Sequence, residues 1–136
     1  MPLLLDGLRI LLLEDEFLIA MDVEQLCRDH GASEVTILRS LAETDRQSPA
    51  FQFDVAIVDL MLDGESTLDF ARGLYSRKIP FVFASGYSES TEIETDFPGV
   101  ALVGKPYSGV DLVEAVAASC GRPLPGAHVV GDEAIT

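Results

Sequence analysis

Carboxylates, one hydroxyl and one lysine fall at the ends of successive apolar runs in this chain of 136 residues. Glu14 and Asp15 follow LRILLL, Asp59 follows VAIV, Ser85 follows PFVFA and Lys105 follows VALVG. Clustered carboxylates suit a hard divalent cation. Mg2+ fits best, because it accepts one or two carboxylates while keeping several waters. Asp15 and Asp59 are the expected direct ligands, with Glu14 acting mostly through water and the backbone carbonyl of Met61 adding an oxygen. Without a cation, two carboxylates about 5 Å apart would repel by roughly 3 kcal/mol at an effective dielectric of about 20. Asp59 is the expected nucleophile, since an aspartate can take up a phosphoryl group as an acyl phosphate. Catalysis of such a transfer is mainly positioning and charge neutralisation. Lys105 is expected to reach one phosphoryl oxygen and the Ser85 hydroxyl another.

Each feature alone has an ordinary structural explanation. An acid pair after a strand complements the dipole of the next helix, and a lysine before a proline is common in loops. Agreement at four strand ends argues instead for one shared site, provided that the fold brings those ends together.

The patterning provides such a fold. Leu8–Leu13 is aliphatic in all but Arg9, as in a strand buried on both faces. Glu16–His30 places Ile19, Val23, Leu26 and Cys27 at helical spacing, with Gly31 as a C-terminal cap. Glu34–Leu38 reads as a second strand, and Ser40-Leu-Ala-Glu43 as a capping box opening a short second helix. Asp54–Leu60 gives the third, central strand, and Ser66-Thr-Leu-Asp69 opens a helix running to about Arg77. Pro80–Ala84 is a fourth strand. Ser88–Asp96 is acidic, so any helix there is solvated and loosely held. Val100–Val103 is a fifth strand. Ser108-Gly-Val-Asp111 caps a last helix expected to turn Val110, Val113, Val116 and Ala117 inward.

Alternating strands and helices with right-handed crossovers predict an α/β fold, a (βα)5 three-layer sandwich around a parallel sheet of flavodoxin-like order 2-1-3-4-5. That order sets strands one and three side by side, and with them Glu14, Asp15 and Asp59. Ligands of such sheets bind at the carboxyl ends of the strands. The domain is expected over residues 7–121. RPLPGAHVVGDEAIT, residues 122–136, reads as a C-terminal tail.

Nine basic against 23 acidic residues leave a formal charge of −14. Nucleic acid is bound through lysine and arginine, so this balance argues against direct DNA or RNA binding and against an acidic membrane surface. It favours partners with basic patches. No run approaches the roughly twenty apolar residues that span a bilayer, and the N-terminus lacks a secretory pattern; a cytoplasmic location is expected. Cys27 and Cys120 have no metal-ligand spacing and read as reduced core thiols.

At these residues the chain resembles bacterial two-component response-regulator receiver domains. The pieces that carry the resemblance are LLLEDE, VAIVDLMLDG, FASGY and GKPY, and it covers about residues 7–121. It implies that Asp59 takes phosphate from a histidine kinase or a histidine phosphotransfer protein with Mg2+, that the Lys105–Pro106 bond is cis, and that the chain signals by contact with a downstream protein. Phe83-Ala84-Ser85-Gly86-Tyr87 is similar to the Phe-Ala-Thr-Gly-Tyr signature of a mainly alphaproteobacterial subclass, often stand-alone and linked to general stress signalling. Such a protein is not a conventional enzyme, and a monomer or weak dimer is expected. Two departures stand out. Leu102 occupies a position that usually holds an aromatic switch, so phosphorylation is expected to be reported through Tyr87 or Ser88–Asp96. Asp63 replaces a usual proline, so the loop after Asp59 is expected to be more mobile. Bulky Met61 and Tyr87 would flank the path of a hydrolytic water.

Rival chemistries fit less well. A haloacid-dehalogenase-like phosphatase needs a second aspartate two residues after the nucleophile, where this chain has Phe17 and Met61. A nucleotide or flavin binder needs a glycine- or hydroxyl-rich first loop, whereas EDEF repels phosphate unless a cation intervenes. The remaining alternative is a pseudo-receiver, an interaction module that keeps the fold without using phosphorylation.

Overall fold

Strands that are apolar on both faces must be covered on both, and the aliphatic runs of this chain are. Arg9–Leu13 (β1) is buried in all but its first residue, and Val55–Asp59 (β3) is buried throughout. The computed structural model describes residues 3–43, 52–85 (backbone alone at 85), 96–104 and 109–122. Around β1 and β3 lie Phe17–Asp29 (α1), Glu34–Leu38 (β2), Met61–Leu62 (β4), Glu65–Ser66 (β5), Leu68–Ser76 (α2), Phe81–Ser85 (β6), Leu102–Gly104 (β7) and Gly109–Ser119 (α3). The main sheet is parallel, with order β2-β1-β3-β6-β7. Counting only its five strands, this is the expected 2-1-3-4-5. The fourth and fifth strands begin one and two residues later than the pattern suggested.

Alternation along the strands sends successive side chains to opposite faces. Ile10, Leu12, Ile57, Val82 and Ala84 pack with Ala20, Val23 and Cys27 of α1 and with Leu112, Val113, Val116 and Ala117 of α3. Leu11, Leu13, Ala56, Val58, Phe81 and Phe83 pack with Ala71 and Leu74 of α2. Three layers result. Burial pushes the Cys27 thiol up to about 12 and also raises the thiol of Cys120, so Cys27 stays protonated and unreactive at neutral pH.

Val110 corrects the expectation for the last helix. It is 60 % exposed, and Leu112 takes the inward place beside Val113 and Val116. The inward stripe thus begins one turn into the helix.

On the α2 side Phe97 is fully buried. Its ring centroid lies 5.1 Å from that of Phe83 and 5.7 Å from that of Tyr75. Leu102 pairs with Phe83 across β6 and β7, and the ring of Phe97, from outside the strand, packs against Phe83.

Helix α1 ends as its glycine predicted. The N–H of Gly31 donates to the carbonyl of Arg28 (3.0 Å) and that of Ala32 to Cys27 (3.0 Å), the two bonds of a Schellman motif. Gly31 has φ +102°, and a Cβ there would meet Asp6 and Leu3 at 2.9 Å. The approach is close because residues 3–8 fold over this turn, with Leu5 fully buried and its N–H bonded to the His30 carbonyl (2.9 Å).

At the capping-box sequence, Glu43 accepts a bond from the Arg39 N–H (2.7 Å) rather than from Ser40. The remainder of the expected second helix, nearly all of Ser88–Asp96, Tyr87, Lys105–Pro106 and residues 123–136 of the tail lie outside the described residues. Arg122 is described, and its guanidinium donates to the carbonyl of Leu4 (3.2 Å).

At the amino ends of the strands, the Asp54 carboxylate accepts bonds from the Arg9 backbone N–H (2.8 Å) and from its guanidinium (3.0 and 3.2 Å). The Arg9 bonds hold the Asp54 carboxyl below its usual range. A carboxyl whose pKa is depressed by folding stabilises the fold above its unfolded value, near 4, and loses that contribution as pH falls through the folded value. The stability lost in Asp54→Asn, measured by urea unfolding, is therefore expected to be largest at neutral pH and to shrink below about pH 4. A gap independent of pH would rule the linkage out.

Candidate functional site

Three acidic residues meet because β1 and β3 are neighbours in register, Leu13 opposite Val58. Glu14 and Asp15 follow the first strand and Asp59 ends the second. One carboxylate oxygen from each lies within 4.8 Å of the others. Glu14 is buried to 1 % exposure and Asp59 to 8 %, while Asp15 is half-buried at the rim.

Hydrogen bonds orient each acid. Glu14 accepts the N–H of Glu16 on Oε2 (3.1 Å), and its own N–H donates to the Leu38 carbonyl of β2 (3.1 Å). Asp59 accepts the N–H of Met61 on Oδ1 (3.4 Å), and the buried Thr67 hydroxyl donates to the Asp59 backbone carbonyl (2.6 Å). Asp15 accepts the N–H of Asp63 on Oδ2 (2.8 Å), and its carbonyl takes a bond from Arg39 (3.4 Å).

Ser85 is the last residue of β6, pairs with Gly104 of β7, and lies one position past the Asp59–Ala84 pair. The backbone thus brings Ser85 beside Asp59, and Gly104 brings the chain to the residue before Lys105. Lys105 itself lies outside the described residues. Met61 stands two residues past Asp59 at the cup's edge, with its side chain 48 % exposed.

Where a loose loop was expected after Asp59, the chain forms a hairpin. Met61 pairs with Ser66 and Leu62 with Glu65, antiparallel. Asp63 and Gly64 turn the corner at φ 52° and 81°, the left-handed pair required by a type I′ turn. The Asp-Gly dipeptide carried that signal. Thr67 had only a weak one: it precedes α2 without capping it through its side chain, and its hydroxyl donates back to the strand end at Asp59.

The donor set fits Mg2+. Ligand oxygens about 2.1 Å from a shared ion lie at most about 4.2 Å apart, so three within 4.8 Å accommodate two direct carboxylates and one reached through water. A cation would also relieve the repulsion within this cluster of like charges.

No family model matches the chain. It is 28 % identical over 117 residues to the transcriptional regulatory protein PdtaR of Mycobacterium tuberculosis, an alignment covering 84 % of this chain and 57 % of that protein. The chain thus spans little more than half the length of that curated relative. Among solved structures it is similar to SdrG from Sphingomonas melonis Fr1, at 32 % identity over 83 % of this chain and 96 % of that one, TM-score 0.70. The response regulator receiver protein from Sinorhizobium medicae WSM419 superposes with a TM-score of 0.75 at 24 % identity, over 86 % and 97 % of the two chains. A parallel five-stranded sheet with an acid cluster at its carboxyl edge, together with these likenesses, defines the class. The chain has the fold of the response-regulator receiver domains.

Proposed function

We propose that this receiver accepts a phosphoryl group on Asp59 from a histidine kinase or a histidine phosphotransfer protein, and signals by contact with another protein. The observation that carries this reading is the nearly buried Asp59 carboxylate at the end of the central strand, within 4.8 Å of two further acids. A carboxylate oxygen of Asp59 attacks phosphorus, the P–N bond to the donor imidazole breaks, and its electron pair returns to the ring nitrogen. Asp15 and Asp59 would hold Mg2+ directly, with Glu14 acting through water and the Met61 carbonyl supplying a further oxygen. The ion, when bound, neutralises charge on the transferred group. Ser85, the last residue of β6, and Lys105, next in sequence after Gly104, serve its remaining oxygens. The catalysis is confined to self-directed phosphotransfer and hydrolysis of the resulting acyl phosphate to inorganic phosphate, so the chain is a signalling acceptor rather than a conventional enzyme.

A protein donor suits the rim of the cup. Phe17, Leu18 and Met21 at the start of α1 are 60, 75 and 46 % exposed, an apolar patch beside the acids that a small-molecule donor would not require. Among the described residues no helix is long and apolar enough to cross a membrane, and the acidic balance favours a basic protein surface over nucleic acid. Finer membership of the Phe-Ala-Thr-Gly-Tyr subclass belongs to the same proposal and rests on FASGY, of which Phe83, Ala84 and Ser85 lie in β6.

The test is phosphotransfer profiling of the full chain against histidine kinases, with acetyl phosphate as a small donor, in Mg2+ and in chelator. An acid-stable, alkali-labile phosphoryl adduct that needs Mg2+ is expected. A chain left unmodified by every competent donor would instead be a pseudo-receiver.

A further inference from the structure

We propose that the Met61–Ser66 hairpin is a positioning device for the cation site, acting through the backbone N–H of Asp63 on the carboxylate of Asp15. The inference rests on the reading of the cup given above. The bond is short, 2.8 Å, and joins residues 48 apart in sequence. Its direction is set by the turn. With Asp63 and Gly64 both at positive φ, the Asp63 amide has little choice of orientation. The Asp63 carboxylate is exposed, so what this residue brings to the cup is main chain.

The other end of the hairpin is equally tied. Thr67 is fully buried, and its hydroxyl donates to the carbonyls of Asp59 (2.6 Å) and Leu60 (3.1 Å). Its N–H closes the same base on Leu60 (3.1 Å), and Leu62 is sealed in the core beneath. One short element is therefore fastened to the backbone of the expected nucleophile and to the side chain of an expected ligand. Asp15 is the least buried of the three acids, and so the one whose rotamers most need an external hold. Groups that orient metal ligands typically contribute 10–100-fold to affinity.

The experiment is Mg2+ titration by calorimetry into the metal-free full chain and its variants, with circular dichroism confirming the fold of each. Asp63→Pro removes the N–H and cannot adopt positive φ. It is expected to weaken Mg2+ binding about 10–100-fold. Asp63→Asn keeps the N–H and tolerates the left-handed backbone. It is expected to restore affinity to within about threefold, the remainder being a screened surface charge. Hydrogen exchange reads the same bond with no change at Asp63. Its amide is expected to be protected in the unaltered metal-free chain and to exchange at least about tenfold faster in Asp15→Ala.

Equal Mg2+ affinity in Asp63→Pro and the unaltered chain overturns the proposal, as does an unprotected Asp63 amide. Weak binding by Asp63→Asn as well would assign the effect to the carboxylate and overturn it too. An unaltered chain that binds no Mg2+ sinks the reading of the cup instead.

Discussion

Asp59→Asn is expected to lower phosphoryl uptake by more than about a hundredfold with any donor, because an amide cannot form the acyl phosphate. The protein itself should survive the change. The Thr67 hydroxyl bonds to the backbone carbonyl of Asp59, so the strand end keeps its anchor. In chelator the variant is expected to be more stable than the unaltered chain, because the two neighbouring charges lose a like-charged companion. At roughly 5 Å and an effective dielectric of about 20, each such pair costs about 3 kcal/mol at most. Radiolabel transfer from a phosphorylated kinase reads the first effect, and urea unfolding in chelator the second. Undiminished labelling would move the acceptor elsewhere. Labelling lost together with the fold would leave the stability gain unmet and count against the charge cluster.

The second large effect concerns Asp15. Asp15→Asn is expected to weaken Mg2+ binding by at least about tenfold and to slow phosphorylation at fixed Mg2+ accordingly. The ion binds the folded state alone, so the unaltered chain should gain about 2.7 kcal/mol at a hundred times its dissociation constant. Asp15→Asn should show little of that gain at the same concentration. Saturating Mg2+ is expected to recover part of the phosphorylation rate, since Asp59 and Glu14 still face the cup. An unchanged Mg2+ dependence of the melting temperature in Asp15→Asn would remove this residue from the ligand set.

Much of the site was legible because its information is local. An acid that ends an aliphatic strand is conspicuous, since burying such a charge is costly unless something compensates it. Asp59 after VAIV and the pair after LRILLL stood out for that reason. The helix stop at Gly31 was equally local, because a Schellman turn needs one residue at positive φ. Other features depend on contacts between distant segments. Val110 fits an inward stripe by spacing, yet only packing shows that the stripe starts with Leu112. Phe97 lies in a stretch with no regular pattern, and its ring joins Tyr75, Phe81 and Phe83 only in three dimensions.

The loop after Asp59 is an intermediate case. Its Asp-Gly dipeptide announced a two-residue turn, while the loss of a proline suggested looseness. In the structure both central residues take positive φ and the flanking residues pair.

By itself the amino-acid order determined which residues must be buried, where the described strands and helices alternate, and which acids and hydroxyl stand at the strand ends. Those follow from periodicity and from the cost of burying charge. Tertiary structure alone decided that Glu14, Asp15 and Asp59 come within 4.8 Å of one another, and that the Asp63 amide reaches Asp15. Strand order and turn geometry set such distances, and neither is written in any single stretch of the chain.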